Sequence, residues 1–159
     1  SSDESYRLID LLIADLEEAE RLSGCTSLDA AMDFFIQKGV GAVIVTNGSR
    51  DVALKIGSAR FEPCTRQTIP VSQAIVAELA AHPERKGDTT GCGDNFAGGV
   101  IADVARQVEA GNARIDLTEA IAWGTVSGGL ACFQFGGVLY EEFPGQKRAM
   151  MATYLESAT

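Results

Sequence analysis

The sequence predicts an α/β fold with a mostly parallel sheet flanked by helices, and three observations support this. Residues 41–46 form a continuous apolar run with several β-branched residues, typical of a strand buried on both faces. A segment of helical periodicity, from Ser27 to Lys38, precedes that strand, and a glycine turn follows it. Gly91 and Gly93 then lead into a second long segment with helical periodicity. Helix, buried strand and glycine turn in succession are typical of α/β proteins.

The composition is that of a globular chain with room for one domain. The chain has 159 residues, of which 46% are hydrophobic, and a net charge of −9. A negative net charge argues against nucleic acid and anionic membranes as partners, because both require a basic surface. It does not exclude a nucleotide, which local amides and a metal can bind. No leader pattern opens the chain and the apolar runs are too short to cross a bilayer, so we expect a soluble protein.

The cysteines lack the spacing of a metal site or a disulfide framework. They stand at positions 25, 64, 92 and 132, without a C-x-x-C pair, and His82 is the one histidine in the sequence. We therefore predict reduced thiols, no zinc site and a cytoplasmic protein. His82 is expected at the surface.

The first third of the chain reads as alternating helices and strands. Ser1 to Tyr6 is polar and expected to be frayed, and residues 8–14 are either a buried strand or the start of a helix. Residues 15–24 suit a helix with an acidic face and Gly24 as its C-cap. Ser27 is predicted to cap the next helix. That helix is predicted to bury Ala30, Phe34 and Phe35.

The middle of the chain is less regular. Val52–Ile56 and Ala59–Glu62 predict a hairpin about Gly57-Ser58. Between Thr65 and Gly87 a helical spacing is followed by a polar loop, to which the sequence assigns no function. The apolar residues at that helical spacing are Val71, Ile75 and Leu79.

The most informative stretch is Asp-Thr-Thr-Gly-Cys-Gly-Asp at 88–94. Gly91 and Gly93 allow a sharp turn with bare amides, and a glycine loop before a helix N-terminus favours a phosphate or an oxyanion. Asp94, at the helix start, is either an N-cap or a general base for a hydroxyl that attacks a phosphoryl group. The loop is neither a Walker A motif nor a dinucleotide fingerprint.

Three helices are predicted after this loop. The first has one apolar face, made by Phe96, Val100, Val104 and Val108. The second, capped by Asp116 or Thr118, has a side of small residues that permits close packing against another helix or a flat ring; these are Ala120, Gly124, Ser127, Gly128 and Ala131. The third runs from Pro144 through Leu155. Trp123, Met150 or Met151, and Tyr154 are predicted to pack inward.

The residues Asp-Thr-Thr-Gly-Cys-Gly-Asp, followed by Asn-Phe-Ala-Gly-Gly, resemble the second signature of the ribokinase-like (PfkB-type) carbohydrate kinases. That signature is D-T-x-G-A-G-D, and Cys92 stands in place of its alanine. The resemblance implies the C-terminal portion of a three-layer ribokinase-like fold. It also implies that Gly91, Cys92 and Gly93 form an anion hole for the transferred phosphoryl group, and that Asp94 deprotonates the acceptor hydroxyl.

The same resemblance implies a metal-steering motif upstream. It favours a strand for residues 8–14, running into an N-x-x-E motif whose glutamate corresponds to Glu18. That glutamate helps to organise Mg²⁺ and its waters near the phosphates. Asp15 stands where the family has asparagine, so either the metal is held more directly or the motif is degraded. A helix with an acidic surface remains the alternative for both residues.

Further nucleotide contacts are also implied by the resemblance. Thr46 and Gly48 end a strand at a point where the family places a T-x-G beside the nucleotide, and a plain turn is the alternative. Thr125 lies on the helix that borders the adenine pocket, where asparagine is frequent. Gly137 lies in the turn after that helix, near the nucleotide and, in some members, a monovalent cation.

The resemblance runs from about Leu8 to Val138, except across Thr65–Gly87, and corresponds to the C-terminal half of these enzymes. It implies a single domain, residues 1–159, for ATP-dependent phosphorylation of a sugar or nucleoside hydroxyl, with ATP, Mg²⁺ and in some members a monovalent cation. The expected partners are a nucleotide and a small sugar-like substrate, and a homodimer is left open. Without the acceptor half, this chain alone is expected to be inactive or nearly so. It would be an excised piece, a natural truncation or a stand-alone module. The alternative function is a non-catalytic nucleotide-binding or interaction module that retains the fold.

Overall fold

The computed structural model describes residues 3–64 and 66–156. The chain forms two compact units, unit 1 with the residues up to Ile69 and Ala110–Leu117, and unit 2 with Pro70–Glu109 and the residues from Thr118 onward. The elements, in chain order, are α1 (Asp3–Tyr6), β1 (Leu11–Asp15), α2 (Leu16–Ser23), α3 (Leu28–Lys38), β2 (Ala42–Thr46), β3 (Val52–Ile56), β4 (Gln67–Ile69), α4 (Gln73–Ala81), a 3₁₀ turn (Pro83–Arg85), α5 (Cys92–Glu109), α6 (Leu117–Ala131) and α7 (Gln146–Glu156).

Unit 1 contains a four-stranded sheet in the order β1-β2-β3-β4. β1 and β2 are parallel, with Asp15 opposite Thr46, because α2 and α3 supply the crossover that a parallel pair needs. β3 is antiparallel to β2, and β4 to β3. The predicted α/β class is confirmed, but the sheet is mixed rather than mostly parallel. The connections that lead to β3 and β4 are too short to hold a crossover helix.

The hairpin predicted about Gly57-Ser58 is wrong. The amide of Gly57 continues the ladder by donating to the carbonyl of Gly41 at 2.8 Å, so β3 does not turn back there. Phe61 forms instead an isolated bridge with Ile115, which lies far along the chain. Alternation within a segment indicates a strand, but it does not identify a partner that is distant in sequence.

The core of unit 1 lies between the sheet and the helices α2 and α3. Val43, Val45 and Ala53 of the sheet pack against buried residues of those helices, which are Ala19, Ala31, Met32 and Phe35. Of the residues predicted for α3, Phe35 is buried, Phe34 is half-buried and Ala30 is exposed. The other face of β2 is also buried, as the continuous apolar run predicts.

Local signals for the first helices are confirmed by the backbone. β1 is the strand that the resemblance favoured, although it begins at Leu11. Gly24 ends α2 in the left-handed conformation, with φ +72°, and the Ser27 hydroxyl accepts from the amide of Ala30 at the start of α3. The frayed start is wrong for Asp3–Tyr6, which is helical because Tyr6 packs on Phe34 and Phe35. Ser1 and Ser2 lie outside the described residues.

Unit 2 is helical, and its longest helix, α5, buries a face that the sequence predicted only in part. Phe96 and Val100 are buried as expected, but Val108 is 60% exposed. The buried stripe continues instead through Asp103 and Gln107, whose side chains are hydrogen-bonded at 2.7 Å. A spacing of four residues drifts around a helix of 3.6 residues per turn, so Val108 leaves the face.

The remaining helices of unit 2 share a second core. Ile75 of α4 packs with Val126 and Leu130 of α6 and with Met151 of α7, whereas Met150 is 39% exposed. Trp123 and Tyr154 are partly buried against this cluster, so both pack inward as predicted. The region from Gln73 to Ala81 is helical, as its spacing predicted. Within the described residues, no helix has the length and apolar character that a membrane span requires.

Candidate functional site

The glycine loop of unit 2 is tied at its start by Asp88. Its carboxylate accepts hydrogen bonds from the amide of Thr90 at 2.9 Å and from that of Gly136 at 3.3 Å. These two bonds hold the pKa of Asp88 below its ordinary value, because they favour the ionised carboxylate. The backbone of Gly87 and Asp88 also donates to the carbonyls of Cys132 and Gln134. The loop is therefore joined to the segment that follows α6.

Gly91 meets Gly137 with no room for a side chain on Gly91. Gly91 has φ +72°, and a Cβ on it would lie 2.5 Å from the Cα of Gly137. The structure thus brings together two of the predicted site residues. Gly93 has a different role from the one predicted, because it lies inside α5, lacks a positive φ and has open space around it. The sharp turn belongs to Gly91 alone.

Asn95 holds this contact in place, and the sequence did not single it out. Its side-chain Nδ2 donates to the carbonyls of Gly91 and Gly137, both at 2.8 Å. Its Oδ1 accepts from Nζ of Lys147 at 2.6 Å. Burial lowers the pKa of Lys147, and Glu141 opposes that shift. The position of Asn95 beside Asp94 was the only local signal, because two of its three partners, Gly137 and Lys147, lie far along the chain.

The first turn of α5 presents amides that are not used by the protein. Cys92 donates to the carbonyl of Thr89 at 3.2 Å, and Asn95 donates to that of Gly91 at 2.9 Å. None of the described residues accepts from the amides of Gly93 or Asp94. These two N–H groups stand at the positive end of an 18-residue helix, where an anion is favoured.

Asp94 lies within the helix, not before it. α5 begins at Cys92, so Asp94 is a first-turn residue and the N-cap interpretation is wrong. Its carboxylate is exposed, and no described residue donates a hydrogen bond to it. An exposed carboxylate beside unused amides has the access that a base acting on a ligand hydroxyl needs.

Cys92 has a second thiol beside it. Its Sγ lies 3.2 Å from Sγ of Cys132, which follows the last residue of α6. Burial raises the pKa of the Cys92 thiol to about 12, and the hydrogen bond with Cys132 acts in the same direction. All four cysteines are free thiols in the structure. The pairing of Cys92 with Cys132 was not visible in the sequence.

In unit 1, Asp15 and Glu18 cap α2 reciprocally. The Asp15 carboxylate accepts from the amide of Glu18 at 2.8 Å, and the Glu18 carboxylate accepts from the amide of Asp15 at 3.1 Å. The local geometry is thus that of the alternative given for both residues, a structural role in a helix with an acidic surface. Both side chains are exposed, and the second oxygen of each has no partner among the described residues. Hard carboxylate oxygens of this kind suit Mg²⁺, so the pair fits the ion that the resemblance implies.

The residues next to this pair also lie where the sequence placed them. Thr46 ends β2 opposite Asp15, and Gly48 follows in an exposed turn with φ +57°. A concavity at this end of the sheet is lined by Leu16, Leu28, Val45, Asn47, Arg50 and Asp51. Among the described residues, no group of three or more His, Cys, Asp or Glu side chains is arranged to hold a metal ion.

Thr125 and the small residues of α6 serve close packing within unit 2. The Thr125 hydroxyl donates to the carbonyl of Ala122 in its own helix at 2.9 Å, and the side chain is buried. Gly99 and Gly124 let α5 and α6 approach, because a Cβ on Gly99 would lie 2.7 Å from the Ser127 Cβ. A cavity of about 320 Å³ lies between these helices and α7, with Trp123, Lys147 and Arg148 in its wall.

Comparison with solved structures shows that the chain has the ribokinase-like α/β fold. A ribokinase from Thermotoga maritima matches with a TM-score of 0.69 at 22% identity, over 97% of this chain and 44% of that chain. A fructokinase from Vibrio cholerae, in a form that binds fructose, ADP and a calcium ion, matches at 0.64 and 20%, over 95% and 42%. Adenosine kinase from Schistosoma mansoni, in complex with 2-fluoroadenosine, matches at 0.65 and 19%, over 88% and 39%.

The family follows from the sequence itself. The profile of the pfkB family of carbohydrate kinases matches residues 2–142, so the chain belongs to this family. The chain spans less than half the length of each of the three structures above.

Proposed function

We propose that this chain is the nucleotide-binding and phosphoryl-transfer part of an ATP-dependent kinase that acts on a hydroxyl of a sugar or nucleoside. The observation that carries the proposal is the first turn of α5, where the unused amides of Gly93 and Asp94 lie beside an exposed carboxylate. Family membership supports the reaction class. The single-domain organisation of residues 1–159 and a cytoplasmic location belong to the same proposal.

In this proposal the anion hole is built around Gly91, Cys92 and Gly93. Gly91 sets the turn, and the amides at the start of α5 bind the oxygens of the transferred phosphoryl group. Asp94 takes the proton from the attacking hydroxyl of the acceptor as the new O–P bond forms. Little covalent chemistry is required of the protein, so positioning and charge stabilisation supply most of the catalysis.

Four residues are assigned to nucleotide contacts, Thr46 and Gly48 in unit 1 and Thr125 and Gly137 in unit 2. Thr125 would border the nucleotide through its helix rather than bind it through its hydroxyl, since that hydroxyl is bonded within α6. A monovalent cation near the Gly137 turn is a further expectation.

Glu18 and Asp15 would hold Mg²⁺ and its waters through their free oxygens. When bound, that ion neutralises charge on the phosphates. The capping bonds of the two carboxylates fix their orientation at the start of α2, so each free oxygen is held in place before an ion arrives.

The nucleotide site is tested by calorimetric titration of ATP, and separately of ADP, into the chain in the presence of Mg²⁺. We expect micromolar to millimolar binding by the chain and its loss in Gly91→Val, whose side chain would collide with Gly137. Gly24→Val is the matched control, because Gly24 has the same φ of +72° but lies at the end of α2. Absence of binding to the folded chain, or equal binding by Gly91→Val, would contradict the proposal.

Complementation tests the base. Mixed with the acceptor-binding half of a pfkB kinase, the chain should recover sugar or nucleoside phosphorylation, and Asp94→Asn should reduce the rate by about 10²–10⁴-fold. Asp94→Asn should still bind nucleotide, because the amides are retained. Turnover by Asp94→Asn at the rate of the unmodified chain would exclude Asp94 as the base.

The second candidate function is a non-catalytic nucleotide-binding or interaction module that retains the fold. The capping box at Asp15 and Glu18 supports it, because both residues already have a structural role. The intact signature at 88–94 favours the kinase. Nucleotide binding without any recovered turnover would decide for the module.

A further inference from the structure

The sulfur atom of Cys92 is not needed by the phosphate-binding role proposed for its loop. That role uses backbone amides, and the family signature has alanine at this position. The sulfur nevertheless lies 3.2 Å from that of Cys132, and both residues are partly exposed. A disulfide requires a separation of about 2.05 Å, so the two atoms need to approach by roughly 1.2 Å.

The two cysteines lie at the ends of two different helices of unit 2. Cys92 is the first residue of α5, and Cys132 follows the last residue of α6. The other cysteines have different surroundings: the Cys25 thiol contacts the carbonyl of Ser23, and Cys64 interacts with the backbone of Ile56. Among the described residues, the two thiols in contact with each other are therefore those at the start of the candidate anion site.

We propose that Cys92 and Cys132 form a reversible dithiol–disulfide pair, which a low-molecular-weight disulfide such as oxidised glutathione closes, and which thereby moves the first turn of α5. The proposal goes beyond kinase function and does not depend on nucleotide binding. It makes the candidate anion site sensitive to the thiol–disulfide balance of its surroundings.

The reaction consists of two exchanges. The Cys132 thiolate attacks one sulfur of the small disulfide, so that a mixed disulfide forms and one small thiolate leaves. The Cys92 thiolate then attacks the Cys132 sulfur, and the second small thiolate leaves. Two protein thiols are oxidised, the small disulfide is reduced to two thiols, and the two protons pass to these thiols.

The surroundings favour this order. The raised pKa of Cys92 makes its thiolate scarce while Cys132 is a free thiol. Burial is the largest cause of that shift and remains after Cys132 is capped, whereas the hydrogen bond and the charge of Cys132 are removed, so the pKa of Cys92 falls part of the way before the second exchange. The contact between Gly91 and Gly137 and the hydrogen bonds of Asn95 hold the loop before Cys92. Closure is therefore expected to displace the amides of Gly93 and Asp94.

Peptide mapping without reductant tests the bond. The chain is equilibrated with reduced and oxidised glutathione at several ratios. Its remaining thiols are then blocked, and the chain is digested with a protease. We expect one dominant linkage, between Cys92 and Cys132, which dithiothreitol reverses. Cys92→Ala and Cys132→Ser should each abolish it, and Cys25→Ser should retain it. Oxidation in urea is the folding control: Cys64 is nearer to Cys92 in sequence than Cys132 is, so selectivity for Cys132 should disappear there.

Three results would overturn the proposal. The first is a mixed disulfide of glutathione with Cys92 or Cys132, with no disulfide between the two cysteines. The second is pairing with Cys25 or Cys64 as frequent as the predicted pair. The third concerns the amide NMR signals of Gly93 and Asp94, both of which we expect to shift between the reduced and the oxidised chain. Signals at the same positions in both forms would contradict the proposal. None of these measurements uses nucleotide, so failure here is distinguishable from failure of the proposed function.

Discussion

The side-chain amide of Asn95 donates to the carbonyl of Gly137 at 2.8 Å, and the same nitrogen donates to the carbonyl of Gly91 at 2.8 Å. One side chain in the first turn of α5 thus joins the glycine loop to the turn that follows α6. Lys147 from α7 completes the arrangement through the amide oxygen. These three bonds anchor the first turn of α5, where the candidate anion site lies.

Asn95→Ala should destabilise the chain by about 1–3 kcal/mol, because it leaves partly buried polar partners without their hydrogen bonds. Urea unfolding followed by circular dichroism measures the change. Asn112→Ala is the control, since Asn112 is exposed in the loop between α5 and α6, and its effect should remain within about 0.5 kcal/mol. Equal stability of the two variants would mean that the bonds of Asn95 contribute nothing measurable.

Gly91→Ala should cost more stability than Gly24→Ala. Both glycines have φ +72°, so each alanine is subject to the left-handed penalty of roughly 1–2 kcal/mol. A Cβ at Gly24 meets open space, whereas one at Gly91 would lie 2.5 Å from the Cα of Gly137. The difference between the two urea midpoints isolates this contact. The close approach would be disproved by midpoints that agree within error.

The reduced chain should lose stability in alkali in a way that depends on Cys92. The pKa of this thiol is raised from 9.0 to about 12, first by burial, so the unfolded state releases a proton that the folded state keeps. The stabilisation is present below pH 9 and is lost as the pH rises toward 12.

We expect the unfolding free energy to fall more steeply from pH 9 to 11 in the unmodified chain than in Cys92→Ala, measured with reductant present. Tyr154, whose pKa is also raised by burial, is common to both proteins and cancels in the comparison. Cys25→Ala is the control variant, since it leaves the contact between Cys92 and Cys132 in place. A slope unaffected by Cys92→Ala would show that the thiol titrates alike in both states.

Two substitutions at Asp15 separate its capping role from its proposed metal role. Asp15→Asn should leave the unfolding free energy nearly unchanged, because asparagine caps a helix as well as aspartate does. Asp15→Ala should cost about 1 kcal/mol. If Asp15 also holds Mg²⁺, both variants should weaken Mg²⁺ binding in a titration with ADP present. Unchanged Mg²⁺ affinity in Asp15→Asn would leave Asp15 with the capping role alone.

The sequence could predict those features that arise from neighbouring residues. The buried strand β2, the caps at Gly24 and Ser27, and the turn at Gly91 follow from local patterns, and the structure contains each of them. The signature at 88–94 was sufficient to indicate the family, which the match over residues 2–142 confirms. The roles of Asp94, Glu18 and the nucleotide contacts stay predictions.

The errors differ in cause. The hairpin at Gly57 failed because Phe61 pairs with Ile115, a partner that packing brings from far along the chain. The buried face of α5 was misjudged at Val108 because a spacing of four residues drifts around a helix of 3.6 residues per turn, so the buried stripe runs through Asp103 and Gln107 instead.

By itself, then, the sequence determined the α/β class, the family and the glycine loop, because short-range backbone preferences and a contiguous motif encode them. Only the tertiary structure decided that Asn95 joins Gly91 to Gly137 and that Cys92 meets Cys132. The contact of Asn95 with Gly137 joins residues 42 positions apart and that of Cys92 with Cys132 residues 40 apart, and chain folding alone brings such residues within hydrogen-bonding distance.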